Sequence, residues 1–106
     1  MSGRRNKQRG YELEREVVVY WTEAGFDCRR SFASGAFKNQ LGEEHAGDLH
    51  LAGYTVEAKR KKSGFKFLYD ALAQDDADML VVRQDRCERV YVLREETLRR
   101  LLEAAR

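Results

Sequence analysis

At 106 residues, 42% of them hydrophobic and 36% charged, the chain has material for one modest hydrophobic core and no second one. No apolar run approaches a membrane span, and the opening Met1-Ser2-Gly3-Arg4-Arg5 leads into polar residues where an export signal would be apolar, so a cytoplasmic protein without membrane contact is expected. The net charge of +2 conceals blocks: Arg4, Arg5, Lys7 and Arg9 stand without an acid, and Lys59-Arg60-Lys61-Lys62 continues to Lys66 without one.

Clustered cations of this kind displace counterions from a nucleic-acid backbone, which makes a polyanion the expected partner. Cys28 and Cys87 have no metal-binding spacing and read as reduced thiols. No proline, repeat or low-complexity segment marks an internal boundary. Residues 1–8 therefore read as a flexible basic arm and 9–106 as a single domain.

In chain order, Leu13, Val17, Tyr20, Trp21 and Ala24 recur at helical spacing, and Gly25 stops the helix, giving a first helix from about Gln8 to Ala24. Phe26 to Phe32 alternates as a strand does. Ser34 to Gly47 has no apolar period and reads as a mobile loop. Two strands follow, joined at Ala52-Gly53. Phe65, Leu68, Tyr69 and Leu72 make a helical face ending near Asp76. Met79-Leu80-Val81-Val82 is continuously apolar, as in a strand covered on both sides, and leads through Asp85-Arg86-Cys87-Glu88 into the strand Val90 to Leu93. Leu98, Leu101, Leu102 and Ala105 mark a last helix. The order α-β-β-β-α-β-β-α predicts an α/β fold, a central mixed β-sheet flanked by helices.

The densest chemistry lies between Gly47 and Lys59. Taking Ala52-Gly53 as a two-residue turn pairs Leu51 with Tyr54, His50 with Thr55, Leu49 with Val56 and Asp48 with Glu57. Two carboxylates would then oppose each other at roughly 4.5–5.5 Å between Cβ atoms, a repulsion that a divalent cation would relieve. Lys59 shares the face of Glu57 and reaches a water or phosphate oxygen beside that cation. His50 shares the Asp48 face and reads as a hydrogen-bonded spectator more readily than as a ligand. The plain alternative is a solvated polar face in which Lys59 pairs with Glu57.

Arg9-Gly10-Tyr11-Glu12-Leu13-Glu14-Arg15-Glu16-Val17, Gly25-Phe26 with Arg30-Ser31, Gly47-Asp48 and Val56-Glu57-Ala58-Lys59 together resemble the ordered motifs of archaeal-type Holliday junction resolvases, within the PD-(D/E)XK nuclease superfamily. The resemblance covers Arg9 to Lys62, and the rest of the chain only by element order. It departs from the pattern in the length of the Ser34–Ala46 loop and in Gly47, which stands where the superfamily name has proline. The ending Ala77-Asp78-Met79-Leu80-Val81-Val82 is similar to that of small phage nucleases, implying a phage or bacterial source.

The resemblance implies a restriction-endonuclease-like fold and a homodimer that cleaves branched double-stranded DNA, with no small-molecule cofactor. Glu14, Asp48, Glu57 and Lys59 would form the catalytic set. Asp48, Glu57 and the Ala58 carbonyl, with Glu14, would hold Mg2+, for which Mn2+ could substitute. Periodicity leaves Glu14 and Glu16 tied, and the resemblance selects Glu14. Arg9, Arg15, Arg30, Ser31, Ser34, Arg60, Lys61, Lys62 and Lys66 would contact DNA, although Arg30 reads equally well as a surface charge. Phe65, Phe67 and Tyr69 read as core or subunit-interface residues before base-stacking ones. Two other readings stay open: a repair or restriction-type nuclease acting on duplex, flap or single-stranded DNA, and a binding module that does not cut.

Overall fold

The computed structural model describes residues 3–31 and 48–106, with side chains from residue 10 onward. It is a small α/β structure with helices and two antiparallel sheets. It divides into two compact units, Met1–Lys61 and Lys62–Arg106. The readings placed on Phe32 and on the Ser34–Gly47 loop, including Ser34 as a DNA contact, lie outside the described residues. No described helix is long and apolar enough to cross a membrane.

In the first unit, helix α1 spans Gly3–Glu23, beginning five residues before the expected Gln8. Its end is a Schellman motif. Phe26 N–H reaches the Trp21 carbonyl at 2.9 Å, Gly25 N–H reaches Thr22 at 3.0 Å, and Gly25 takes φ +90°, which glycine adopts without a Cβ clash. The hydrophobic contact that accompanies such a cap is here an edge-to-face pair, Trp21 on Phe26, with ring centroids 5.5 Å apart. Both rings are buried, so the cap that ends the helix also anchors the core.

Three strands follow, β1 (Cys28–Arg30), β2 (Leu49–Leu51) and β3 (Tyr54–Val56), in spatial order β1-β2-β3. Cys28 faces Leu51 and Arg30 faces Leu49, while Leu51 faces Tyr54 and Leu49 faces Val56. The Ala52-Gly53 turn gives this register because both residues have positive φ, +49° and +88°, the twist that closes a two-residue hairpin. Cys28, Leu49 and Leu51 form the buried face, and α1 lies against β1 and β2. Burying each leucine is worth about 1.5–3 kcal/mol.

The second unit holds α2 (Lys66–Ala73), a short 3-10 turn (Gln74–Asp76), β4 (Met79–Val82), β5 (Val90–Leu93) and α3 (Glu95–Ala104). β4 and β5 form an antiparallel hairpin pairing Met79 with Leu93 and Val82 with Val90. Arg94 ties the unit together: its guanidinium donates to the Leu72 carbonyl at 2.8 Å and to Ala77 at 2.9 Å, satisfying groups where α2 ends.

Two expectations need correction. The described strands form a three-stranded and a two-stranded sheet, both antiparallel, where one mixed sheet was expected; every recorded pair joins strands adjacent in sequence among those described. β4 was expected to be covered on both sides, yet Met79 and Val81 are 44% and 49% exposed while Leu80 and Val82 are half-buried, because a two-stranded hairpin with α2 beside it shelters only alternate residues.

The two thiols differ in kind. Cys28 is buried, and that burial, helped by the Asp27 carboxylate, raises its pKa above the ordinary value, whereas Cys87 is exposed. Since the thiolate is the reactive form, an aromatic disulfide reagent at neutral pH should modify Cys87 promptly and Cys28 only on denaturation. Rapid titration of both thiols in the native protein would contradict the burial of β1. A raised folded-state pKa also means that the Cys28 contribution to stability is complete below the unfolded thiol value of about 8.5 and is lost as pH rises through the folded one.

Candidate functional site

Arg30, Ser31, Asp48, Glu57 and Ala58 lie at one end of the three-stranded sheet, where β1 finishes, β2 begins and β3 finishes. Beyond β1, Ser31 N–H donates to the Asp48 carbonyl at 3.0 Å, extending the β1–β2 ladder by one step. Beyond β3 the pattern changes. Asp48 N–H bonds the Val56 carbonyl at 2.9 Å, although Leu49 is already the partner of Val56. Two residues thus face one, the arrangement of a β-bulge, which re-aims the side chain it displaces.

The directly opposed Asp48–Glu57 pair expected from the turn is therefore replaced. The regular ladder stops at Leu49 and Val56, and the Asp48 carboxylate bonds the next residue along: Ala58 N–H donates to Oδ2 at 2.9 Å. A carboxylate held by a backbone N–H is a charge-assisted bond, stronger than a neutral one. It fixes Asp48, which is half-buried, against the Glu57-Ala58-Lys59 segment, whose two charged members are exposed. His50 lies opposite Arg29 and Thr55.

The helix contributes from the buried side. Glu14, with a side chain 12% exposed, accepts from Arg30 Nε at 2.9 Å. The Arg30 guanidinium also stacks on the Tyr11 ring, 3.9 Å from its centroid. The Glu14 hydrogen bond raises the Arg30 pKa further above its usual value against partial desolvation, with Tyr11 acting in the same direction. Nearby, Arg60 donates to Glu12 at 2.8 Å. Geometry separates the two glutamates that periodicity left tied: Glu14 faces β1, while Glu16 is exposed and lines a groove along α1 with Arg15, Val19 and Tyr20.

Asp48, Glu57, Ala58, Ser31, Arg30 and Glu14 thus belong to one end of one unit, with Lys59 and Arg60 continuing from it. Arg15 projects from the exposed side of α1, and the side chain of Arg9 lies outside the described residues. Lys61 and Lys62 are exposed at the division between the units, and Lys66, in the second unit, pairs with Asp70 at 2.6 Å. Phe67 and Tyr69, read first as core or interface residues, are 63% and 71% exposed. Sequence reading gave Tyr11 and Glu12 no role. The spacing of Tyr11 three residues before Glu14, which puts both on one helical face, was the available signal.

Among the described residues no cluster of three or more histidine, cysteine, aspartate or glutamate side chains is placed to hold a metal ion. Asp48, Glu57 and the Ala58 carbonyl nonetheless offer only oxygen donors, and magnesium is characteristically held by one or two carboxylates with its remaining positions filled by water. The donor chemistry fits that ion. Glu14 is engaged by Arg30. No protein-family model, curated protein or solved structure matches the chain.

Proposed function

We propose that the chain is a magnesium-dependent, structure-selective DNA endonuclease, a homodimer with a restriction-endonuclease-like fold that hydrolyses phosphodiesters at four-way junctions. The observation that supports this most is the Ala58 N–H to Asp48 Oδ2 bond, which ties the acid opening β2 to the Glu-Ala-Lys segment closing β3. Asp side chains also accept backbone N–H groups for local structural reasons alone; what adds weight here is that the segment held carries a second acid and a lysine.

In this reading Asp48, Glu57 and the Ala58 carbonyl hold the metal, with Mn2+ an effective substitute for Mg2+. When bound, the ion lowers the pKa of a water and neutralises charge developing on the phosphate. Lys59, a compact charge with three donors on a flexible stem, orients the attacking water against the phosphorus. Arg30 and Ser31 receive a phosphate at the end of β1. Arg60 and Lys61 in the first unit carry the flanking duplex by contacts that read shape and charge, and Lys62 and Lys66 in the second unit are DNA contacts in their own right. Two subunits related by a twofold axis match the two equivalent phosphates of a junction.

The test is incubation of the protein with a labelled four-way junction and with linear duplex of equal length, in magnesium, in manganese and in chelator, alongside light scattering. Paired incisions of the junction that need the metal, made by a dimer, are expected. Equal cutting of duplex by a monomer would replace the junction reading with a general nuclease. Binding without cutting in either metal would leave a nucleic-acid-binding module.

A further inference from the structure

We infer that Tyr11 is a positioning residue: its ring holds the Arg30 guanidinium against Glu14, so that the terminal nitrogens are preorganised for a phosphodiester oxygen at the Asp48 end of the sheet. The inference rests on the nuclease reading for the identity of the anion, and on the geometry alone for the role of the ring.

An arginine side chain carries five N–H donors in a planar fork, and the free side chain samples many rotamers. Here two contacts at different angles remove that freedom. Nε is engaged in the plane by Glu14 Oε1 at 2.9 Å, and the face is covered by the Tyr11 ring at 3.9 Å. A bond in the plane and a stack on the face fix both the position and the tilt of the guanidinium. With Nε occupied, the fork's remaining donors are those on the two terminal nitrogens, the pair that engages an oxyanion in bidentate fashion. The side chain is 34% exposed, so it is not sealed from a ligand.

The location adds direction. Arg30 is the last residue of β1, and the next residue, Ser31, bonds the Asp48 carbonyl. A phosphate held by Arg30 therefore sits beside the strand end that carries Asp48. Tyr11 itself is 52% exposed, more than a core aromatic would be, and its ring lies against Arg30. Ordering a long side chain in advance lowers the cost of binding without adding a charge.

That separation of order from charge gives the experiment. Full-length wild type, Tyr11→Phe, Tyr11→Leu and Arg30→Gln are compared for binding to a four-way junction across a salt series in chelator, and the Arg30 Nε–H is followed by NMR at neutral pH. Leucine is a good helix former and Tyr11 is half exposed, so Tyr11→Leu should fold; its melting curve checks this. Tyr11→Leu is expected to weaken binding roughly five- to tenfold with an unchanged salt slope and to speed exchange of the Arg30 Nε–H, because order is lost and charge is kept. Tyr11→Phe keeps the ring and loses only the hydroxyl, which also assists Arg30, so it should weaken binding clearly less than Tyr11→Leu. Arg30→Gln should lower the slope by about one. Wild-type affinity and Nε–H exchange in Tyr11→Leu would overturn the inference, as would equal weakening by Tyr11→Phe. If wild-type protein binds no DNA, the nuclease reading fails, while the Nε–H exchange still decides whether the ring positions Arg30.

Discussion

Asp48→Asn is expected to lower metal-dependent cleavage of the junction by roughly a thousandfold, equivalent to about 4 kcal/mol of barrier, the scale of a lost metal contact. The substitution is informative because it isolates charge. Asparagine keeps an oxygen where Asp48 Oδ2 accepts the Ala58 N–H, so the bond across the sheet end survives and the local fold with it. What disappears is the anion. Glu57→Gln, at an exposed position, should behave alike. Binding of the junction in chelator should stay at wild-type strength or tighten, since a negative charge has left the neighbourhood of phosphates. Single-turnover cleavage at saturating magnesium is the measurement, and wild-type rates in either variant would remove these carboxylates from the site.

Trp21→Ala should cost about 3–5 kcal/mol of folding free energy, the range for emptying a buried aromatic site. Trp21 is 3% exposed, stacks edge-to-face on Phe26, and supplies the carbonyl that Phe26 N–H caps. Its loss opens a cavity and removes the apolar half of the Schellman motif at once. Against a typical stability of about 5–15 kcal/mol, this leaves the first unit marginal at 25 °C. Val19→Ala, on the same helix but 49% exposed, should cost under about 0.5 kcal/mol beyond helix propensity. Urea titration followed by circular dichroism compares them, and similar midpoints for the two variants would show that the core does not centre on Trp21.

What the sequence made legible was local. Ala52-Gly53 between alternating strands specified a two-residue turn, and with it the register from Leu51–Tyr54 to Leu49–Val56. Gly25 after a helical apolar stripe specified the end of α1. α1 starts at Gly3, ahead of its apolar stripe, because arginine, lysine and glutamine are good helix formers and no breaker stands between Gly3 and Gly10. The bulge at Asp48 was hidden because an alternating pattern extrapolates a ladder and gives no sign of where two residues will face one. Glu14 could not be told from Glu16 by period, because what distinguishes them is Arg30, sixteen residues away and on another element. The pairing of distant strands into one sheet or two is likewise absent from any local pattern.

The Ala52-Gly53 turn has a meaning for the candidate site that its place at the far tip of the hairpin disguises. A hairpin is a measuring device: the number of residues at its closed tip decides which residues meet at its open end. β2 and β3 are each only three residues long, so little error can be absorbed between the tip and the Asp48–Ala58 bond. A one-residue slip of β3 against β2 would turn every β3 side chain to the opposite face, carrying Glu57 and Lys59 away from Asp48 while leaving each of them in the sequence. An alanine at φ +49° is a strained way to make such a turn, and asparagine or glycine would do it more easily. The chemistry at one end of this small sheet is thus gauged by two residues that touch none of it.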